Sequence, residues 1–202
     1  MDDTDPAHWA ESLRVIARSG LASSRDPYDR ERYDRLLALA DLVPPPVAPA
    51  ARIGVARVTT PKIDVRGAVF DSAGRLLMVR EALDAGRWTL PGGWADVNLT
   101  AAENVLKEIR EESGYDARIR KLAAVWDRTR QGHTPSDFAA VKCLFVCDLA
   151  GGRARTSLET SEIAWFAEDT LPDGLSLGRI LPHQLRRMFA HARDDTLPTD
   201  FE

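Results

Sequence analysis

Long apolar runs are absent from this sequence of 202 residues. A helix that crosses a membrane needs about 20 consecutive apolar residues, and no segment approaches that length. The opening residues, Met-Asp-Asp-Thr-Asp, are acidic, whereas a secretion signal begins with basic residues. We therefore expect a cytoplasmic protein that has no membrane partner.

An excess of basic residues is also missing. Lysine and arginine number 27 against 31 aspartates and glutamates, which gives a formal net charge of -4. A chain with this balance has no general positive field that would attract a polyanion. Long nucleic acid is therefore not the expected partner.

Cysteine is scarce, and the two cysteines are poorly placed for a disulfide. Cys143 and Cys147 lie four positions apart in an apolar run that is typical of a strand. At about 3.3 Å per residue their Cα atoms would be about 13 Å apart, beyond the roughly 7 Å that a disulfide allows. We expect two reduced side chains that fill a buried strand, as suits a reducing compartment.

Two amphipathic helices are predicted in the first 50 residues. The apolar positions of the first helix, over residues 6–19, are Trp9, Leu13, Ile16 and Ala17. Those of the second, over residues 27–42, are Tyr33, Leu36, Leu37 and Ala40. Such a hairpin is too small to be stable alone, so we expect it to pack on the rest of the chain or on a second copy.

A proline-rich segment follows the predicted hairpin. Its prolines, which break helices and favour an extended linker, are Pro44, Pro45, Pro46 and Pro49. We therefore expect an N-terminal helical domain with its linker over residues 1–50 and a second domain over residues 51–202.

Short strands and helices alternate after residue 50. Residues 65–70 and 76–80 flank an Asp-Ser-Ala-Gly turn and predict a hairpin. Further strands are expected at about 119–128, 139–149 and 162–167, and a last helix at about 178–193. This order favours an α/β sandwich with a mixed sheet and helices on both faces.

The strongest helix signal lies between Thr100 and Gly114. Thr100 and Glu103 have the spacing of a capping box, and Gly114 is placed to end the helix. Glu108, Glu111 and Glu112 stand at i, i+3 and i+4, so their carboxylates project from one side. Like charges this close repel, and a hard cation such as Mg²⁺ or Mn²⁺ would stabilise them.

A glutamate-rich helix is usually only a solvated face, and the sequence before this helix decides between the two interpretations. The helix follows a Leu-Pro-Gly-Gly-Trp loop, whose glycines permit close backbone approach. Such a loop can offer carbonyls to a metal or amides to a phosphate. The combination favours a metal-dependent phosphate enzyme.

The segment from Gly93 to Tyr115 resembles the Nudix box. Gly93 is followed by five residues, position 99, seven residues and then Lys-Glu-Ile-Arg-Glu-Glu-Ser-Gly-Tyr over residues 107–115. The resemblance covers roughly residues 60–195 and implies a Nudix α/β/α sandwich. It also implies hydrolysis of a nucleoside diphosphate linked to another moiety X, by attack of water at phosphorus. One to three divalent ions would be bound by the three box glutamates and Gly93.

Two positions depart from the usual box. Leu99 stands where a glutamate is expected, and Lys107 stands where an arginine is expected. The missing glutamate normally supports the loop rather than binding metal. Lys107 keeps a positive charge but lacks the bidentate fork of arginine.

The wider match is with a bacterial branch of the family that carries an N-terminal helical domain. The features that carry it are Trp9, the Ser-Arg-Asp-Pro-Tyr stretch that leads to Tyr33, the Gly-Gly-Trp-Ala-Asp-Val loop and Lys142. Members of this branch include CDP-choline and ADP-ribose pyrophosphatases. The resemblance implies a homodimer joined partly through the hairpin.

Several further residues are candidates for the site. Substrate-binding candidates, with a surface or core role as the alternative, are Arg80, Arg87, Trp88, Arg128 and Lys142. Glu159 and Glu162 are candidates for the general base or a further metal ligand, because many members of the family carry such a residue in this loop, and solvated loop glutamates are the alternative. His133 is a weaker substrate-binding candidate.

Three functions remain open from the sequence. The first is a pyrophosphatase of a nucleoside diphosphate linked to X, and the second is a nucleoside triphosphatase. The base and the X group cannot be chosen, because loops set specificity on this fold. The third is a non-catalytic nucleotide sensor, which the retained glutamates disfavour.

Overall fold

The computed structural model describes residues 6–43, 61–134 and 139–202. The chain divides into two compact units, Met1–Val58 and Thr59–Glu202. The proline-rich segment and the predicted boundary near residue 50 lie outside the described residues. None of the described helices has the length and apolar character needed to cross a membrane.

The first unit contains the two predicted helices, α1 (Pro6–Ser23) and α2 (Pro27–Ala40). Asp26 caps α2 by accepting hydrogen bonds from the amides of Tyr28 and Asp29, and Pro27 occupies the first turn. The prediction that α1 ends near Gly20 is wrong. Gly20 lies inside the helix, where a Cβ would come within 2.4 Å of the Tyr33 ring, so the glycine serves the packing of α2.

The predicted apolar face of α1 is only partly used inside the hairpin. Ala10 and Ala17 are buried, but Trp9 and Ile16 keep 44% and 54% of their surface exposed. Arg14 is buried instead, and its guanidinium donates to the carbonyl oxygens of Ala40 and Val43 at the end of α2. The hairpin is therefore fastened by a buried arginine and leaves large apolar side chains on its surface.

The second unit is built on a mixed sheet. Its strands are β1 (Lys62–Phe70), β2 (Leu76–Glu81), β3 (Arg87–Thr89), β4 (Tyr115–Asp127), β5 (Ala140–Gly152) and β6 (Thr160–Phe166). The order is β3-β2-β1-β5-β4, and β6 pairs with β2. The β1–β5 pair is parallel and the other pairs are antiparallel, which confirms the predicted mixed sheet.

Helices cover both faces of this sheet. Helix α3 (Ala101–Ser113) packs Val105 and Ile109 on one face, and α4 (Pro182–Arg193) packs Leu185 and Met188 on the other. A short 3₁₀ helix, Glu168–Thr170, precedes α4. The predicted last helix begins four residues late, because Pro182 occupies its first turn and the preceding residues form a loop.

The ends of α3 are as predicted. The Thr100 side chain accepts from the amide of Glu103, whose carboxylate accepts in return from the amide of Thr100, which completes the capping box. Gly114 ends the helix in the left-handed conformation, with φ of 74°. Both cysteines are free, and Cys147 is buried in β5, as expected.

Gly67 sets the distance between α3 and the sheet. A Cβ at this position in β1 would lie 2.5 Å from Cδ1 of Ile109. We expect Gly67→Ala to destabilise the protein by about 1–3 kcal/mol through overpacking. Urea unfolding followed by circular dichroism would measure this cost.

The matched control is Gly151→Ala in β5, where the nearest atom to an added Cβ, Oδ2 of Asp116, is 3.9 Å away. Its free energy of unfolding should stay within about 0.5 kcal/mol of the parent. Equal costs for the two substitutions would show that Gly67 does not set the helix position.

Candidate active site

The glycine-rich loop lies directly against strand β1. The amides of Gly67 and Val65 donate to the carbonyl oxygens of Pro91 and Gly93, both at 2.9 Å. Gly92 has φ of 143°, and a Cβ there would lie 2.0 Å from the carbonyl oxygen of Val65. Only glycine fits this position. The loop therefore brings its backbone within reach of α3.

Glu112 is the most buried of the three box carboxylates, with 4% of the residue exposed. Its Oε2 accepts a hydrogen bond from the amide of Gly92 at 2.9 Å. Burial raises the pKa of Glu112 to about 8, and the nearby Glu81 and Glu108 add to the shift, whereas Arg66 and the Gly92 amide oppose it. A buried carboxylate of this kind would be stabilised by a cation.

Glu108 and Glu111 complete the acidic face of α3. A Cβ at Gly93 would lie 3.2 Å from Oε2 of Glu108, so this carboxylate touches the loop. Burial raises the pKa of Glu108, and the neighbouring Glu111 adds to the shift while Lys107 opposes it. Glu111 is more exposed, and its Oε2 lies 3.6 Å from Nζ of Lys107.

Asn104 secures the loop that carries Leu99, whereas Lys107, the second departure from the box, lies on α3. Its Oδ1 accepts from the amide of Asp96 at 2.8 Å, and its Nδ2 donates to the carbonyl oxygen of Thr100 at 3.0 Å. Lys107 pairs with Asp96 at 2.7 Å, and this hydrogen bond raises the pKa of Lys107. Leu99 is 40% exposed, so a carboxylate at this position could reach solvent.

A buried charge network lies beneath the loop. In β1, Asp64 accepts from Arg66 at 2.9 Å and also pairs with Lys142 of β5, which stands opposite it in the parallel register. Arg66 donates to the carbonyl oxygen of Leu90 at 3.2 Å. Burial lowers the pKa of Lys142 to about 8, although Asp64 opposes this shift. The network places a fixed positive group beside Glu112.

These groups line one cavity of about 860 Å³. Its lining also includes segments distant in sequence from the box, namely Glu81, Arg128, the loop 157–159 and Gly178–Arg179. Seven carboxylates and four cationic side chains line the cavity, so its formal charge is negative. A phosphate substrate would be repelled unless positive charge were added.

The donor chemistry of the cavity fits a hard divalent cation. The carboxylates supply oxygen ligands, which Mg²⁺ and Mn²⁺ prefer, and burial raises the pKa of Glu112, so a nearby cation would favour its ionised form. Within the described ranges, however, no three Asp, Glu, His or Cys side chains are already arranged around one ion position. The fit is therefore one of chemistry and charge.

The structure brings together only some of the residues predicted from the sequence. Those that line the cavity are Gly93, Glu108, Glu111, Glu112, Arg128 and Glu159. Lys142 does not line the cavity and is buried against Asp64, which does. Those that do not line the cavity are Arg80, Arg87, Trp88 and Glu162.

The predicted residues outside the cavity contact one another or their neighbours. Arg80 pairs with Glu162 at 3.0 Å across the β2–β6 register and lies over the Trp88 ring, 5.9 Å from its centroid. Arg87 pairs with Asp84 at 3.2 Å. His133 is buried, with Nδ1 2.9 Å from the carbonyl oxygen of Leu177. Burial lowers its pKa to about 4, so His133 is neutral at pH 7.

Among the residues of the cavity that were not predicted from the sequence, five are charged: Asp64, Arg66, Glu81, Asp96 and Arg179. Two of them carried a usable signal, since Asp64 and Arg66 are charged residues at alternate positions of a strand that is otherwise mostly apolar. Glu81 and Arg179 have no such signal in the sequence, because only the folded chain brings them together at the cavity.

Two family models match the chain. The NUDIX domain model matches residues 60–184, and the model described as "UDP-X-like, N-terminal oligomerisation domain" matches residues 5–41. The two matches fall in the second and first unit of the structure, respectively.

Similar proteins and solved structures agree with these matches. The chain is 41% identical over 200 residues to the Bacillus subtilis (strain 168) protein named "Putative ADP-ribose pyrophosphatase YjhB", covering 96% of this chain and 95% of that one. It also resembles the structure of a Streptococcus suis ADP-ribose pyrophosphatase, with a TM-score of 0.64 and 34% identity over 71% of this chain and 100% of that chain. A UDP-X diphosphatase structure matches with a TM-score of 0.64 and 30% identity over the whole of both chains. The chain therefore belongs to the Nudix hydrolase family.

Proposed function

We propose that this protein hydrolyses the phosphoanhydride bond of a nucleoside diphosphate linked to X, of the ADP-ribose or CDP-choline type, with Mg²⁺ or Mn²⁺ as cofactor. The observation that carries the proposal is the convergence of the three box glutamates, Arg128 and Arg179 on one cavity. Relatives named as ADP-ribose pyrophosphatase and UDP-X diphosphatase support it, because two of them match along nearly the whole chain.

The groups that line the cavity would have different roles in the reaction. The bound cation would neutralise phosphate charge and lower the pKa of the attacking water. Glu112, held by the Gly92 amide, keeps its carboxylate oriented toward the loop. Arg128, which also lines the cavity, would donate hydrogen bonds to phosphate oxygens.

Glu159 is the proposed general base. It lines the cavity, whereas Glu162 lies outside it and pairs with Arg80. Glu159 would accept a proton from water as the water oxygen bonds to phosphorus. The bond from phosphorus to the bridging oxygen then breaks, which yields a nucleoside monophosphate and the phosphorylated X group.

A nucleotide panel tests the proposal. Purified protein is incubated with Mg²⁺ or Mn²⁺ and ADP-ribose, CDP-choline, a UDP-sugar or nucleoside triphosphates, and the products are identified. We expect a nucleoside monophosphate and phosphorylated X from at least one linked diphosphate. Preferential cleavage of triphosphates would favour the alternative triphosphatase, and no turnover of any compound would favour the non-catalytic sensor.

The box glutamates should be essential for turnover. We expect Glu112→Gln, which keeps the shape and removes the charge, to lower kcat by at least about a hundredfold, because metal-assisted charge stabilisation is worth several kcal/mol. Glu108→Gln and Glu111→Gln should behave similarly. The matched control is Glu162→Gln, because Glu162 does not line the cavity. Its kcat should stay within about threefold of the parent. Near-normal turnover by Glu112→Gln would refute the metal assignment.

The departure at Leu99 should matter little. Asn104 already secures the loop through Asp96 and Thr100. We therefore expect Leu99→Glu to leave metal affinity and kcat within about tenfold of the parent, at the lower end of effects from groups that only support ligands. Metal titration and steady-state kinetics would measure both. A gain in kcat of about a thousandfold would mean that Leu99 strongly impairs the natural enzyme. That result would restore the sensor hypothesis.

We further propose that the protein is a homodimer joined partly through the helical hairpin. The surface of the hairpin carries Trp9, Ile16, Leu39 and Leu42, each at least 44% exposed. Large apolar side chains clustered on so small a unit are typical of an interaction surface. The match of residues 5–41 to an oligomerisation domain supports this assignment.

Removing the hairpin should remove the dimer. We expect deletion of residues 1–50 to give a monomer with poor solubility, because a docking surface is left uncovered. Ile16→Glu should also give a monomer while preserving the fold, since Ile16 is 54% exposed within one chain. Light scattering after size exclusion measures both. A truncated protein that remains a soluble dimer would place the interface elsewhere.

A further inference from the structure

Two arginines from distant parts of the chain line the same cavity as the box glutamates. Arg128 follows strand β4, and Arg179 lies in the loop before α4. A Cβ added to Gly178 would lie 4.0 Å from Nη2 of Arg128, so the Arg128 guanidinium lies close to the residue that precedes Arg179. Two guanidinium groups that line one cavity are suited to bind an anionic ligand.

Arg179 is held in place by two carboxylates of the β2–β3 segment. Its Nε lies 3.2 Å from Oε1 of Glu81, and its Nη1 lies 3.2 Å from Oδ2 of Asp84. Asp84 is itself fixed by Ser176, whose Oγ donates to it at 2.6 Å. These contacts engage Nε and Nη1, whereas a guanidinium carries two further N–H donors on Nη2. With 35% of its side chain exposed, Arg179 has donors for a ligand in an orientation that is already fixed.

The two arginine-bearing loops are also fastened to each other. Nδ1 of His133, in the segment after Arg128, lies 2.9 Å from the carbonyl oxygen of Leu177, and Nε2 lies 3.1 Å from Nε2 of Gln184 on α4. Oε1 of Gln184 accepts from the amide of Leu181. His133 and Gln184 are both buried. The two arginine-bearing loops are therefore held next to each other by the fold before any ligand binds.

We infer that Arg179 is a substrate-binding residue that forms, together with Arg128, a clamp for the two linked phosphates of the substrate. Guanidinium groups pair with phosphate oxygens through two parallel hydrogen bonds, and a diphosphate presents two phosphates to two such groups. The box glutamates line the same cavity, so a linked diphosphate bound there would be within one site that holds both the proposed metal ligands and the arginines. This inference rests on the proposed function for the identity of the ligand.

Calorimetric binding tests the clamp without requiring turnover. The probes are α,β-methylene-ADP, which has a non-hydrolysable diphosphate, and AMP, both with Mg²⁺ and the full-length protein. Charge-assisted hydrogen bonds contribute about 1.5–3 kcal/mol, or roughly 10- to 150-fold in affinity. We expect Arg179→Gln to weaken the binding of α,β-methylene-ADP at least about tenfold and the binding of AMP by less than about threefold. Arg179→Lys should fall between Arg179→Gln and the parent.

The matched control is Arg186→Gln, an exposed arginine of α4 outside the cavity, which should bind both probes as the parent does. Thermal unfolding of each variant confirms that the fold is kept. Unchanged binding by Arg179→Gln, equal loss of both probes, or no binding of α,β-methylene-ADP to the parent would each overturn the clamp. If the parent binds the analogue through Arg179 but hydrolyses no linked diphosphate, the proposed reaction fails and the clamp stands.

Discussion

The contact between the Gly92 amide and the Glu112 carboxylate is the constraint on which the site depends. It forms only because two glycines let three elements approach one another. Gly67 allows α3 to lie close to β1, and Gly92 allows the loop to lie on the Val65 carbonyl. A side chain at either position would separate the acidic helix from the loop. The position of the site's side chains thus depends on close packing of the backbone.

This packing buries carboxyl groups, and the fold supplies only part of the positive charge that favours their ionised form. Arg66 is held beside Glu112 by Asp64, and Asp64 is held in turn by Lys142 on the neighbouring strand. These three charged groups lie inside the sheet, where each alone would be unfavourable and together they are paired. The carboxylates still outnumber the cationic groups around the cavity. A divalent cation therefore completes the charge balance of the folded protein as well as the chemistry.

The sequence was most informative where the structure is local. The capping box and Gly114 defined α3 because helix ends are set by hydrogen bonds within four residues. The end of α1 was misplaced because Gly20 serves a contact with Tyr33, which is distant in sequence. Likewise, sequence reasoning did not separate Glu159 from Glu162, since only the register of β6 on β2 directs Glu162 toward Arg80. The family resemblance supplied the reaction class, whereas Glu81 and Arg179 required the tertiary structure.

The lining of the cavity is built in two different ways, and this difference bears on how specificity is set. The box residues come from one continuous segment, residues 92–112, whose geometry is fixed by α3 and β1. The other charged groups come from separate segments around Glu81, Arg128, Glu159 and Arg179. Changes in those segments can reshape the cavity without altering the residues of the contact between Gly92 and Glu112. Because loops rather than the box set specificity on this fold, we expect these separate segments to determine the choice of base and X group.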